Sequence, residues 1–127
     1  MKFIDGKPIY LQIVEYISDE IIANTWHEGE RILSVRELGQ RVGVNVNTCM
    51  RAYEQLVLRG VIESKRGLGY NVTIGAKESI ITERRERFIR TTMPDFFRQM
   101  KLLHISAETI IQEYDKFDAD AETRLMI

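Results

Sequence analysis

The sequence predicts a mainly α fold with one small β-hairpin, and three observations carry that reading. Ser34 followed by Glu37 has the spacing that starts a helix: the hydroxyl caps the third amide while the carboxylate returns to the cap. Between Gly43 and Gly60, the positions Cys49, Ala52, Tyr53, Leu56 and Val57 recur every three or four residues, the buried stripe of a second helix. Two short extended runs then flank Arg66-Gly67-Leu68-Gly69, whose glycines permit positive φ in a tight turn. Two short helices backed by a hairpin make a winged helix-turn-helix. Residues 1–74 are assigned to it, and residues 75–127 to a short C-terminal helical dimerisation tail.

Taken in order, residues 1–7 read as a short arm, and Pro8 suits the first turn of a helix because its missing N–H would be unpaired there anyway. From Ile9 to Ala23 the apolar positions Tyr10, Ile13, Val14, Ile17 and Ile21 define one face, and Asn24 closes the helix in a left-handed conformation. Trp26, on the connector containing Gly29, reads as a core plug. The Ser34 helix follows, then a turn at Gly43.

The next helix gathers Asn45, Asn47, Thr48 and Arg51 outside its apolar stripe. A helix fits the major groove, where its first residues meet base edges and its free amides favour a phosphate. Each proposed contact has a plain alternative. Arg36 reaches DNA or pairs with Glu37 or Glu30; Asn47 and Thr48 contact DNA or merely cap, and Asn45 faces outward beside them. Arg51 reaches a guanine edge or a phosphate, or engages Glu54 at the next turn. Val46 offers apolar contact to a thymine methyl. At the hairpin tip, Lys65 and Arg66 with Gly67 and Gly69 suit phosphate or minor-groove contact.

After a joint over Thr73–Lys77 the character changes. Residues 78–103 form a long helical region, with a kink or break expected between Thr91 and Pro94, since proline removes an amide and disfavours helical geometry at Met93. Ser106 caps a last helix. The apolar positions Phe88, Met93, Phe96, Phe97, Met100 and Leu103, with Ile110, Ile111 and Tyr114 beyond Ser106, are too many for solvated helices and too few for an independent core. They are expected to pair two subunits, in preference to a hairpin folded on its own winged helix.

Bulk properties set outer limits. Hydrophobic content of 44% and charged content of 29% describe a globular chain, and a net charge of -1 carries no global nucleic-acid signal. Within residues 28–74, seven Lys/Arg stand against five Asp/Glu, so a basic surface exists only locally. One cysteine, no apolar run of signal-peptide length after Met1-Lys2-Phe3 and no membrane-length span point to a cytoplasmic protein.

The matched residues resemble the GntR family of bacterial transcriptional regulators, in its short YtrA-like branch. The resemblance runs over Pro8-Ile9-Tyr10 with Gln12, Gly29-Glu30-Arg31, Ser34-x-Arg36-x-Leu38, Val44-Asn45-x-Asn47-Thr48, Ala52-Tyr53-x-x-Leu56, Gly60 and Gly67-x-Gly69-Tyr70-x-Val72. Ile32-Leu33-Ser34, Gly39 and Val46 depart from the family pattern. It implies a DNA-contacting arginine at Arg36, a tail that pairs two subunits, and a homodimer on a pseudo-palindromic, double-stranded operator, acting as a repressor.

Other chemistry finds little support. His27 and His104 lack partners at metal-ligand spacing, Cys49 sits on a buried stripe, and no serine has a nucleophile-elbow context, so no enzyme, metal site or cofactor is expected. Two further readings stay open: a small-molecule switch with its ligand at the dimer interface, its effector unknown, and a winged-helix protein-interaction module.

Overall fold

The computed structural model describes the backbone of residues 1–126 and the side chains through Ala121. Helix α1 spans Ile9–Ile22 and buries Ile13, Val14, Ile17 and Ile21. Asn24 ends it at φ 61°, as its tolerance of the left-handed region predicts. Gln12 is buried too, and a buried amide demands partners. Its Nε2 donates to the carbonyls of Ile4 and Lys7, both at 2.9 Å, and its Oε1 accepts from the Ile4 amide at 2.9 Å. The expected free arm is therefore strapped to α1. Trp26 is half-buried, edge-on to Tyr16 with centroids 6.2 Å apart.

Helix α2, Val35–Val42, starts on the predicted capping box: Ser34 Oγ accepts from the Glu37 amide at 3.1 Å, and Glu37 Oε1 accepts from the Ser34 amide at 3.0 Å. Gly43, at φ 70°, turns the chain into α3, Val46–Leu58. Cys49, Ala52, Tyr53 and Leu56 are fully buried. Val57 is not; it stands 40% exposed, because the covered stripe is narrower than the apolar spacing suggested.

Strands β1, Ile62–Lys65, and β2, Gly69–Val72, pair antiparallel, with Ile62 opposite Val72 and Lys65 opposite Gly69. A connector that the sequence left irregular adds a third run. The Ile32 amide donates to the Tyr70 carbonyl at 3.0 Å, the Val72 amide to Glu30 at 2.9 Å and the Gly29 amide to Val72 at 2.8 Å, so residues 29–32 zip along the outer edge of β2. The hairpin is thereby anchored at its base.

Two compact units divide the chain, Met1–Arg84 and Arg85–Ile127. The first extends past the 74/75 joint placed from sequence, because helix α4, Ala76–Arg87, buries Ala76 and Ile80 in the same core as α1 and α3. Arg84 fastens that helix: Nη1 reaches Asp19 at 2.6 Å, and Nη2 reaches the Glu15 carboxylate at 2.9 Å and its carbonyl at 3.1 Å.

The regular elements among the described residues of the second unit are all helical, with a turn over residues 103–106. A π-helical turn over Phe88–Thr92 leads into α5, Met93–Leu102, and then α6, Ala107–Met126. The expected break before Pro94 takes the form of this wide turn. Met93 keeps helical angles, φ -62° and ψ -46°, and its amide donates to Phe88 five residues back. Widening one turn relieves the clash of the proline ring with the preceding carbonyls while the helix continues. Ser106 caps α6 as predicted, its Oγ accepting from the Thr109 amide at 3.1 Å.

Candidate nucleic-acid interface

Three exposed features of the first unit carry the predicted residues: the start of α2, the first two turns of α3 and the hairpin tip. Arg36 is the second residue of α2 and is exposed. Its neighbour Glu37 is engaged in the capping box, where the Ser34 amide, then the Ser34 hydroxyl, and more weakly the Arg31 charge hold its carboxyl below the usual value. A carboxylate that closes a helix start in this way is less available to neutralise Arg36.

At α3, Asn45 is the cap, its Oδ1 accepting from the Asn47 amide at 2.8 Å. Asn47 is exposed and Thr48 half-buried one step further on. Arg51 follows, with its guanidinium 4.0 Å from the centroid of the Tyr10 ring, so α1 holds this arginine in place of the Glu54 pairing considered from sequence. Pro8, Ile9, Tyr10, Asn47, Thr48 and Arg51 together line a shallow concavity of about 390 Å³. Its walls are the first turns of two helices, and the Arg51 guanidinium among them suits an anion such as a backbone phosphate.

The opposite flank of α3 is different. Val46 and Met50, one turn apart, are 42% and 37% exposed. Met50 Sδ accepts from the Tyr70 hydroxyl at 3.8 Å, which ties this side chain to β2. Beneath both flanks, Tyr53 donates to the Leu33 carbonyl at 2.6 Å and meets Tyr70 edge-on at 4.9 Å. Burial drives the Tyr53 phenol far above its ordinary value and pushes the Cys49 thiol up as well, so both are neutral packing groups.

At the hairpin tip, Lys65 and Arg66 are exposed, and the Leu68 amide closes the turn on the Lys65 carbonyl at 2.8 Å. Gly67 and Gly69 lie at φ 76° and 79°. Gly69 is favoured by its φ, and a Cβ there would also sit 3.2 Å from Arg31 Nε, so that exposed side chain would have to shift slightly. Arg31 thus lies along β2 beside Gly69 as a cation that sequence reasoning did not assign. Tyr10 and Met50 were missed as well. The Arg51–Tyr10 and Met50–Tyr70 pairings join residues distant in sequence, and no local spacing reveals them.

The chemistry available is that of binding. Among the described residues no group of three His, Cys, Asp or Glu could hold a metal ion, and no helix is long and apolar enough to cross a membrane.

Comparison with known proteins addresses the same region. The family model described as bacterial regulatory proteins, gntR family, matches residues 9–72. The chain is 32% identical over 116 residues to the HTH-type transcriptional regulator YhcF of Bacillus subtilis, covering 91% of this chain and 94% of that one. It is 34% identical over 74 residues to the HTH-type transcriptional repressor YtrA of the same organism, covering 58% of this chain and 57% of the relative. A crystal structure of a GntR-family transcriptional regulator from Bacteroides thetaiotaomicron superposes with a TM-score of 0.81 at 43% identity, over 88% of this chain and 98% of that one. The family match spans α1, the helix pair and the hairpin, the elements that carry the exposed contacts. The chain belongs to the GntR family of bacterial regulatory proteins and is a DNA-binding, winged helix-turn-helix regulator of transcription, with no enzymatic activity.

Proposed function

We propose that this regulator works as a cytoplasmic homodimer that represses transcription by occupying a pseudo-palindromic operator. In this reading residues 1–74 form the DNA-binding head, and α3 enters the major groove. Asn47, Thr48, Arg51 and Val46 lie along the groove or its phosphates, and Asn45 sets the helix start. Arg36 meets the backbone, while Lys65, Arg66, Gly67 and Gly69 bring the hairpin to the adjacent groove. The observation that carries the proposal is the outer face of the first two turns of α3, where Val46, Asn47, Met50 and Arg51 are exposed, with the Arg51 guanidinium resting on the Tyr10 ring at one flank.

Dimerisation is supported by the second unit. Among its described side chains none is buried, while Phe88, Phe96, Phe97, Leu103, Ile111 and Tyr114 are 46–66% exposed. Met93, Met100 and Ile110 are half-buried. Helices with that much unpartnered apolar surface gain most from a second copy of themselves. Two heads related by a two-fold axis would read half-sites spaced by about one helical turn, roughly 10 base pairs, or a multiple. The repressor assignment follows the similarity to YtrA of Bacillus subtilis, which bears that description.

Sedimentation of the purified chain, alone and with DNA from upstream of its own gene, tests this. A dimer that binds the fragment and releases it as salt rises supports the model. A monomer, or a dimer indifferent to that DNA, overturns the dimeric operator reading in the first case and autoregulation in the second.

A further inference from the structure

The exposed face of α3 is divided chemically along its length, and the two halves imply different readings of DNA. Thr48 and Arg51 border the α1 side, where Tyr10 fixes the guanidinium. On the hairpin side stand Val46 and Met50, at the i, i+4 spacing that stacks two side chains on one helical face. Neither has a reason in the core: both are exposed, and the buried stripe runs through Cys49, Ala52, Tyr53 and Leu56 instead. Each has a neighbour on another element: Val46 lies beside Gly39 of α2, and the Met50 sulfur accepts from the Tyr70 hydroxyl of β2.

We infer that Val46 and Met50 form an apolar strip that reads thymine by its 5-methyl group, making a thymine within each half-site a determinant of operator choice. In the major groove the thymine methyl is the largest and most protruding apolar group on any base edge, so a pair of adjacent apolar side chains finds its best complement there. Asn47 lies between the strip and Arg51 and has the amide that pairs with adenine N6 and N7, which favours an A·T pair beside the methyl contact. Polar or cationic residues at positions 46 and 50 would instead favour guanine or phosphate. Met50 adapts to the exact methyl position because its thioether is unbranched and polarizable. This inference rests on α3 being the reading helix of the proposed operator complex.

The test uses the whole chain and selects bound duplexes from a random pool. Each thymine of the selected half-site is then replaced singly by uracil, which pairs identically and lacks only the methyl. One uracil per half-site is expected to weaken wild-type binding about fourfold, the worth of one buried methyl-sized group. The penalty is expected to vanish in Met50→Ala or Val46→Ala. Equal wild-type affinity for thymine and uracil duplexes overturns the inference without need of a variant, as does a half-site lacking thymine, or a full uracil penalty persisting in both variants. If no sequence is enriched from the pool, the operator reading itself fails and the methyl contact falls with it. Enrichment with indifference to uracil removes the methyl contact alone.

Discussion

At the scale of single residues, the proposed interface includes side chains already held by neighbours in the chain without DNA. Arg51 over Tyr10 is the clearest case. A guanidinium resting at 4.0 Å on an aromatic face gives up less rotamer freedom on binding than a free one. Arg36 and Thr48 lie at exposed helix starts, and we expect Arg36→Ala and Thr48→Ala each to weaken operator binding by about 1–3 kcal/mol while sedimentation still shows a dimer. Dissociation of the dimer by either change would contradict the division into heads and tail. Gly69→Ala should act through the fold instead. Its φ of 79° disfavours any L side chain, and the Arg31 guanidinium would have to shift slightly to admit a methyl. A loss of about 1–2 kcal/mol in thermal unfolding is expected, accompanied by weaker DNA binding as the hairpin shifts.

At the scale of elements, the start of α2 is the most local device in the molecule and the most readily tested. Replacing Ser34 by alanine should cost about 1 kcal/mol in urea unfolding, since one helix-start amide loses its acceptor. The Glu37 half of the pairing adds a pH dependence whose sign is fixed by its lowered carboxyl value. A group with a native value below its unfolded one contributes stability in full above the ordinary carboxylate range. That contribution is lost as pH falls through the lowered native value. Urea midpoints of wild type and Glu37→Gln should therefore differ near neutrality and converge in acid.

This same element shows what was legible in the sequence and why. The capping box, the Cys49–Leu56 stripe, the Asn24 terminus and the Ser106 cap were all readable, because each depends on residues three or four apart. The pairing of residues 29–32 with β2 was not, since it joins Gly29 and Glu30 to Val72 across the whole helix pair. Gln12 is likewise invisible to local spacing, because its three hydrogen bonds to the arm are what make it a buried strap. Val57 misled for the opposite reason: its spacing fits the stripe, but no element covers that edge of α3. Of the interface, Arg36, Thr48 and the hairpin tip were visible as types at fixed offsets, whereas Arg31, Met50 and Tyr10 emerge only from tertiary neighbours.

At the scale of the whole molecule, a chain of net charge -1 cannot rely on a broad basic field to find DNA. In the proposed dimer two linked heads would offset that deficit, because the second head would bind at the high local concentration set by the first. The proposal thus makes the tail as necessary to affinity as the reading helix. Phe97→Glu places a charge within the exposed apolar surface of α5, where Phe96 and Phe97 lie edge to edge at 6.2 Å. The expected product is a folded monomer that binds a half-site weakly, seen by sedimentation and by mobility shift on full and half operators. A dimer undisturbed by the substitution would exclude this surface from the contact.

The wide turn at Phe88–Thr92 makes chain length, and not only composition, part of the tail's information. A π-turn is an α-helix carrying one surplus residue, and each residue rotates an α-helix by about 100°. Deleting a single residue from the stretch would remove that surplus and impose regular α spacing, bringing the Pro94 ring back against the carbonyl four residues earlier, to which it has no amide to donate. It would also change which spacing brings Phe88 and Met93 onto a common face, a step that now falls at five residues. Substitutions of exposed Arg90 or Thr91 should thus be tolerated, whereas a one-residue deletion beside them should unpair the subunits. The length of this stretch, more than the identity of its exposed residues, then sets which side chains of the tail share a face.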